Sequence, residues 1–371
     1  MDSPLRILHV VVNMNRGGAE TLIMNLYRHI DRSKVQFDFL TCKPGAFDKE
    51  IMEMGGVVHR IPYVTDVGHF KYTRLLGDFF KLNPYHIVHS HMDKMSGAVL
   101  KNAKKYGVPV RLAHSHNTES EGNSIIRLYK WWNGMNIGRS ATKFIACSTD
   151  AAEWLFHRKA TKAQIVKNGI VPSQFTYSNE TRARIRGELG LAEHSFVIGH
   201  VGRFAKQKNH EFLIELFSEY EQLNKDAALV MLGDGPMRNE MESKAKELGL
   251  VRKAKFLGVR QDVEEVMQAF DVFVFPSRHE GLPVTLIEAQ GSGLTCIISD
   301  AITKEVDLGL GLIDFLPLHD QRIWLNRLVK SQKDINKRGK NHEAFINKGY
   351  DITKTAAEIE SMYLSFIGES G

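Results

Sequence analysis

The sequence predicts an α/β protein built from two doubly wound parallel-sheet domains. Three observations carry that expectation. A chain of 371 residues exceeds what one hydrophobic core organises. Short apolar runs rich in β-branched and aromatic residues recur at helix-length intervals, which is the pattern of repeated βαβ units. These runs fall into two series, and between them IVKNGIVPSQF at 165–175 places Asn168, Gly169 and Pro172 where regular structure is interrupted.

Taken in order, the first series is LRILHVVV at 5–12, FDFL at 37–40, HIVHSH at 86–91, VPVRLAHSH at 108–116 and TKFIACS at 142–148. The second is FVIGHVGR at 196–203, AALVMLGDG at 227–235, AKFLG at 254–258, DVFVFPS at 271–277 and TCIIS at 295–299. A boundary near residue 172 gives domains at 1–172 and 173–349. The tail carries Ile352, Ala356, Ile359, Met362, Tyr363 and Phe366 at helical spacing, so a closing amphipathic helix is expected over about 350–371.

Composition narrows the class. The apolar fraction of 43% supplies two cores. No apolar run reaches the roughly 18 residues of a membrane span, and the N-terminal stretch reads as a buried strand rather than a secretory signal. Cys42, Cys147 and Cys296 are far apart and show no metal spacing, which suits reduced core thiols in a cytoplasmic protein. Net charge is +6, unevenly spread: residues 1–180 hold 24 Lys and Arg against 15 Asp and Glu, and the remainder 25 against 28. A basic first half suits anionic lipid or a phosphorylated substrate. Nucleic acid is disfavoured, because the cations are scattered and no binding module is visible.

The densest chemistry lies in FVFPSRHEGLPVTLIEAQGSG at 273–293. A covered strand ends at Pro276, a Gly-Leu-Pro turn follows, and a helix is expected from Pro283 or Val284 with Leu286, Ile287 and Ala289 inward. Ligands of open α/β sheets sit at the carboxyl ends of the strands, where loop amides and a helix N-terminus favour phosphate. Here those amides belong to Gly281 and Leu282. Glu280 before the turn and Glu288 in the helix can face one site, and a carboxylate there can accept paired hydrogen bonds from a ribose diol. The plainer reading is a loop charge and a solvated helix residue.

After the first strand of the second series, GRFAKQKNHEF at 202–212 lets Gly202 turn the chain while Arg203 and Lys208 bracket a position for a diphosphate. Lys206 competes for the role. Gly233, in LGDGP at 232–236, adds a permissive loop, and FLGVRQD at 256–262 offers backbone groups to a base; both are weak signals alone. In the first half, NRGGAETL at 15–22 joins strand to helix, and Gly17 and Gly18 permit close backbone approach to a bound group. It lacks the G-x-G-x-x-G spacing of a dinucleotide site, which argues against an NAD enzyme.

Two HSH triplets, His89 to His91 and His114 to His116, end predicted strands, and alternation puts both histidines of a triplet on one side. His116 opens the loop HNTESEG and is the better functional candidate. His89 and His91 precede a helix start and suit packing. No set with a carboxylate is complete enough for zinc, so no metal and no cofactor are expected. The helical stretch IIRLYKWWNGMNI at 125–137 reads as core around Trp131 or Trp132, or as a helix resting on a membrane interface.

Taken together, GGAE near the start, an HN after a first-half strand, KNGI at the boundary, GR with a lysine five residues beyond the arginine, and EGLPVTLIEA resemble the family-4 glycosyltransferases across nearly the whole chain. The resemblance implies the GT-B fold: two facing Rossmann-like domains with a cleft between, and a C-terminal helix that crosses back to the first domain. It implies metal-independent transfer with retention at the anomeric carbon, from a nucleotide sugar that is usually UDP-linked. Arg203 and Lys208 then match the residues that hold the donor diphosphate, Glu288 those that hold ribose, and Glu280 the group beside the donor sugar. His116 matches the histidine next to the transferred sugar, with its register against His114 open, and Gly17 and Gly18 match the first-domain glycine loop. The segment ISDAITKEVDLGLGLIDFLPL at 298–318 departs from the common pattern and looks like the branch that builds bacterial capsular or extracellular polysaccharide. That branch implies a lipid-linked saccharide acceptor at the inner face of the cytoplasmic membrane. The rival readings are a sugar-nucleotide epimerase or a phosphorylase on the same fold, or a noncatalytic sugar-nucleotide-binding subunit.

Overall fold

A computed structural model describes residues 3–120, 122–332, 338 and 342–368. It divides into two compact units, Met1–Gly169 with Asp351–Gly371, and Ile170–Tyr350. The first unit contains strands β1 (Leu5–Val10), β2 (Val35–Thr41), β3 (Val58–Arg60), β4 (Ile87–Ser90), β5 (Val110–Ser115), β6 (Lys143–Ala146) and β7 (Ala163–Ile165). All pair in parallel in the order β3-β2-β1-β4-β5-β6-β7. The second unit contains β8 (Phe196–Val201), β9 (Ala227–Leu232), β10 (Ala254–Phe256), β11 (Val272–Phe275), β12 (Thr295–Ser299) and β13 (Ile313–Leu316), in the order β10-β9-β8-β11-β12-β13.

Both are doubly wound sheets with a reversal of strand order, between β1 and β4 in one and between β8 and β11 in the other. At such a point consecutive loops diverge to opposite faces and leave a depression beyond the carboxyl ends of the strands. The inner strands are buried because helices cover both faces; every residue of β2, β9 and β11 is buried, the polar Gln36, Asp38 and Thr41 of β2 included. Edge strands have less to bury. Accordingly β3 and β7, short and partly exposed, show no apolar run, and β13, partly exposed and broken by Asp314, escapes the sequence pattern as well.

The closing helix runs from Ile352 to Gly368 and belongs to the first unit. Its Ile352, Ala356, Ile359, Tyr363 and Phe366 are buried, while Met362 lies at the margin of the stripe. Gly169 allows this approach, since a Cβ there would stand 2.8 Å from the Ile352 Cα. One expectation fails: Trp131 and Trp132 are not core residues but are 51% and 45% exposed on the helix Ser124–Gly134. That helix packs through Asn133 instead, whose backbone lies so close to Gly97 that a Cβ on Gly97 would overlap it.

The second unit is pinned by a buried charge cluster. Asp271 receives Arg186 at 2.6 Å, an ion pair from Arg182, and the Val197 amide at 2.7 Å, which ties the start of β11 to β8 and to the helix Asn179–Glu188. Removing the carboxylate strands two guanidinium groups in a poorly solvated site, and breaking a buried pair in this way costs about 3–5 kcal/mol. Asp271→Ala should therefore lower the unfolding free energy of the second unit by about 3 kcal/mol or more, as read by denaturant titration of its tyrosine and tryptophan signals. A change under about 1 kcal/mol would show the cluster to be solvated.

Candidate functional site

The loops after β8 and β11 flank the switch point of the second unit, and both candidate motifs lie on them. After β8, Gly202 passes its amide to the Leu232 carbonyl and the chain enters a single 3-10 turn, Lys206–Lys208. Asn209 follows in the left-handed region, at φ 57°, and the helix His210–Leu223 begins. Phe204, fully buried against His210 at 4.0 Å between ring centroids, anchors the loop from below. Gly233 is obligatory: its φ is +131°, and a Cβ there would lie 2.1 Å from the Gly202 carbonyl oxygen. The β9 loop is thus locked onto the β8 loop, and the Gly233 amide reaches on to the Gly258 carbonyl after β10.

After β11, Pro276 ends the strand and the chain is stitched back to the lysine turn. The Arg278 amide donates to the Gln207 carbonyl at 2.8 Å, the Gln207 side chain donates to the His279 carbonyl at 2.8 Å, and Arg278 donates to Asn209 Oδ1 at 3.2 Å. These contacts bring two sequence candidates together: Lys208 Nζ lies 2.7 Å from Glu280 Oε1, and its ammonium also sits 4.6 Å from the Phe275 ring centroid. Both side chains are largely buried. Arg203 is exposed on the same loop, and Lys206 is exposed as well.

Gly281, Leu282 and Pro283 are buried and lead into the helix Val284–Gly291, with Leu286, Ile287 and Ala289 inward as expected. Glu288, one turn into that helix, is partly buried, and desolvation together with the nearby Glu264 charge raises its carboxyl to about 7. Sequence reasoning did not reach Ser277 Oγ and Thr285 Oγ1, buried hydroxyls at the strand end and the helix start without a hydrogen-bond partner among the described residues. Buried polar atoms of this kind are normally paired, which makes these two hydroxyls candidates to receive a ligand oxygen. The signal in sequence was only their place, flanking the Gly-Leu-Pro turn.

In the first unit, Gly17 caps the helix Gly18–His29, and a Cβ at Gly18 would meet nothing within 4 Å, so the loop face there is open. Beside it stands an array no single-residue reading anticipated: His9 on β1, His89 on β4 with His91 after it, and His114 on β5 with His116 after it. Strand alternation puts all five on one face. Rings of each triplet lie against one another tilted by 31°, with centroids at 4.2 Å for His89 and His91 and 3.9 Å for His114 and His116. His9 Nδ1 lies 3.0 Å from His91 Nε2, and His91 Nδ1 lies 2.8 Å from His116 Nε2. His89 Nδ1 meets the Tyr363 hydroxyl at 2.6 Å, so the closing helix braces the array. His91 therefore has a contact at both ring nitrogens.

Ligand atoms of His9, His89 and His91, and those of His91, His114 and His116, lie within 4.8 Å of one another, close enough to consider a divalent cation. Tetrahedral zinc with bonds of about 2.0–2.1 Å spaces its nitrogens about 3.3 Å apart. The 2.8 Å separation of His91 and His116 is instead that of a hydrogen bond. Desolvation holds all five rings neutral, with His9 and His116 pushed down to about 3 and His89, His91 and His114 far below their ordinary value.

Comparison with known proteins agrees with this layout. Residues 16–174 match the model of Glycosyltransferase Family 4, and residues 181–306 that of Glycosyl transferases group 1. The chain is 38% identical over 376 residues to EpsF of Bacillus subtilis, assigned as a glycosyltransferase, covering 97% of each. It is 26% identical to the UDP-Gal:alpha-D-GlcNAc-diphosphoundecaprenol alpha-1,3-galactosyltransferase of Escherichia coli, with 98% of each chain covered. It is also 26% identical to the capsular polysaccharide biosynthesis glycosyltransferase CapH of Staphylococcus aureus, covering 97% of this chain and 99% of that one. Among solved structures, Anabaena HepE in complex with UDP and glucose superposes with a TM-score of 0.80 at 20% identity, over 97% of this chain and 100% of that one. The two Rossmann-like domains place the protein in the GT-B class of glycosyltransferases. Within it, the chain belongs to the family-4 glycosyltransferases, in the branch that makes bacterial polysaccharide.

The Glu288 carboxyl gives a pH test. Its folded value of about 7 exceeds the ordinary 4.5, so its protonated form stabilises the fold at low pH and that contribution is lost as pH rises through 7. Glu288→Gln should match the parent in thermal stability near pH 4.5 and exceed it at pH 8. Equal pH profiles for the two proteins would show that Glu288 is not held protonated by its surroundings.

Proposed function

We propose that the protein transfers a sugar, with retention, from a UDP-sugar to a hydroxyl of a lipid-linked saccharide. The observation that carries the reading is the Lys208 to Glu280 contact at 2.7 Å, beside the switch point of the second unit. An ammonium has three donors, so Lys208 can keep Glu280 while giving the remaining N–H groups to a diphosphate. Arg203 adds a second cation and the Gly281 and Leu282 amides add dipoles. Together these groups can stabilise the charge that develops as UDP departs, which makes a metal ion unnecessary at the phosphates. Ser277 and Thr285 supply further hydrogen bonds, and Glu288 receives the ribose diol.

Glu280 and His116 are assigned to hydroxyls of the transferred sugar. The bond from the anomeric carbon to the phosphate oxygen breaks, the acceptor hydroxyl attacks from the same face, and its proton passes to the departing phosphate oxygen. Retention by this route needs no carboxylate nucleophile opposite the leaving group. The uracil choice is supported by the likeness to HepE, which was solved with UDP and glucose, and by the E. coli relative named for a UDP-linked donor. That relative's name also supports a diphosphate-linked lipid acceptor.

Attachment to a membrane surface fits the helix Ser124–Gly134. It presents Ile125 at 79% and Leu128 at 65% exposure along with Trp131 and Trp132, and Phe70, 88% exposed, is linked to it through His69. Its cations are engaged, Arg127 with Glu119 at 2.9 Å and Lys130 with Asp93 at 3.6 Å, so apolar contact rather than charge would carry attachment. No described helix is long and apolar enough to cross a membrane.

Isothermal titration with UDP, GDP and ADP at pH 8, without added metal, should show selective UDP binding, followed by slow UDP release from one UDP-sugar. Glu288→Ala should weaken UDP about tenfold to a hundredfold, the worth of a hydrogen bond to a charged group. Lys208→Ala should lower kcat by about a hundredfold or more. Unchanged kinetics in both variants would remove the site assignment. Replacing Ile125, Leu128 and Trp131 together by serine should release the protein from anionic vesicles in a sedimentation assay without altering its circular dichroism. Equal sedimentation of variant and parent would take this helix out of the membrane argument.

A further inference from the structure

His200 stands on β8, two residues before Gly202, and is 0% exposed. Its Nδ1 lies 2.8 Å from the Val274 carbonyl on β11. A carbonyl can only accept, so Nδ1 carries the proton and donates. Desolvation, opposed by this bond and reinforced by the Lys208 charge, pushes the imidazole down to about 4. At neutral pH the ring is therefore uncharged, and its Nε2 is a bare lone pair. That atom is buried and has no partner among the described residues. A buried acceptor of this kind calls for a donor.

The donor-bearing side chain beside it is Lys208. A Cβ on Gly202 would stand 2.9 Å from His200 Nε2, 3.3 Å from Lys208 Cδ and 3.5 Å from Lys208 Cε, so both side chains border one small space that Gly202 leaves open. Gly202 is not in the left-handed region, so room rather than backbone conformation is what glycine supplies here. One ring serves both neighbours: Phe275 lies 4.6 Å from the Lys208 ammonium and stacks on His200 with centroids 5.5 Å apart. His210 is the rival donor, with its ring centroid 4.7 Å from that of His200. It makes no hydrogen bond to Nε2, and it is held stacked on Phe204 at 4.0 Å. All of these groups belong to the second unit.

We propose that His200 is a positioning residue for Lys208: when a diphosphate is bound, Nε2 accepts one N–H of the ammonium, so that the lysine is held by Glu280, a phosphate oxygen and His200 at once. This rests on the reading of Lys208 as the group that meets the diphosphate. An ammonium has three N–H groups to place. Glu280 takes one, at 2.7 Å. A phosphate oxygen takes the second, and the lone pair fixed by Val274 is the acceptor for the third. A neutral acceptor suits this position. A second carboxylate would cancel the positive charge that the departing diphosphate needs, whereas an imidazole lone pair sets the direction of the ammonium and leaves its charge intact. Contacts of this sort commonly tighten only when substrate is bound.

The test is long-range proton–nitrogen correlation NMR of the full chain with 15N-labelled histidine, combined with calorimetry and kinetics. In the parent, His200 should be the Nδ1–H tautomer, and saturation with UDP should move its Nε2 resonance upfield, the response of a bare imidazole nitrogen that begins to accept a hydrogen bond. Lys208→Met, at UDP concentrations that saturate it, should show no such movement. Two further variants separate positioning from packing. His200→Asn keeps a donor for Val274 and loses the acceptor at the Nε2 position, whereas His200→Gln keeps an acceptor there and loses the donor. Turnover should fall about tenfold to a hundredfold in His200→Asn, the worth of a hydrogen bond to a charged group, and stay nearer the parent in His200→Gln. A residue that served only packing and the Val274 bond would give the reverse order. An Nε2 resonance unmoved by saturating UDP in the parent, a spectrum that needs no variant to fold, would overturn the proposal. So would a movement that persists in Lys208→Met, or turnover in His200→Gln no higher than in His200→Asn. Failure of UDP to bind the parent at all, read by calorimetry, would instead remove Lys208 from the diphosphate and this proposal with it.

Discussion

The contact between Lys208 and Glu280 is the constraint around which the second unit is arranged. A carboxylate and a lysine held in largely buried sites each need a counter-charge, and each makes the other tolerable. The pair depends in turn on backbone. Gln207 and Arg278 sew the lysine turn to the glutamate loop, and Asn209 accepts a left-handed conformation so that Lys208 points inward just before the helix begins. Gly233 at φ +131° lets a third loop close over the same region.

The first unit solves a different problem with neutral groups. Five imidazoles on one face of a parallel sheet would repel if charged, and burial removes the charge from each. What remains is directional hydrogen bonding, along His9, His91 and His116 on one path and from His89 to Tyr363 on another. Tyr363 arrives from the far end of the chain, which gives the closing helix a part in holding the array as well as in covering the sheet.

Much of the candidate site was legible because it is written in local chemistry. Glycines, a proline and paired charges at the carboxyl ends of predicted strands have few physical explanations, and the motifs at 202–212 and 280–288 each fall within one strand-to-helix connection. The apolar fate of Leu286, Ile287 and Ala289 followed from helical spacing. Edge strands β3 and β7 were missed because partial exposure erases the apolar run, and β13 because Asp314 interrupts it. For Trp131 and Trp132 the core alternative failed for a related reason: an amphipathic stripe states that one face is apolar without stating that anything covers it.

The sequence by itself determined the α/β class, the two series of strands, the family, and which residue types stand at the strand ends, since these depend on periodicity and on contacts between near neighbours. Tertiary structure alone decided that Lys208 touches Glu280 across 72 residues and that His91 bridges His9 and His116 across 82 and 25. It also decided that Glu288 sits where its carboxyl rises to about 7. The physical reason is common to all three. Strand order reverses at a switch point, so residues far apart in the chain share one sheet edge, and desolvation depends on everything packed around a group rather than on its neighbours in sequence.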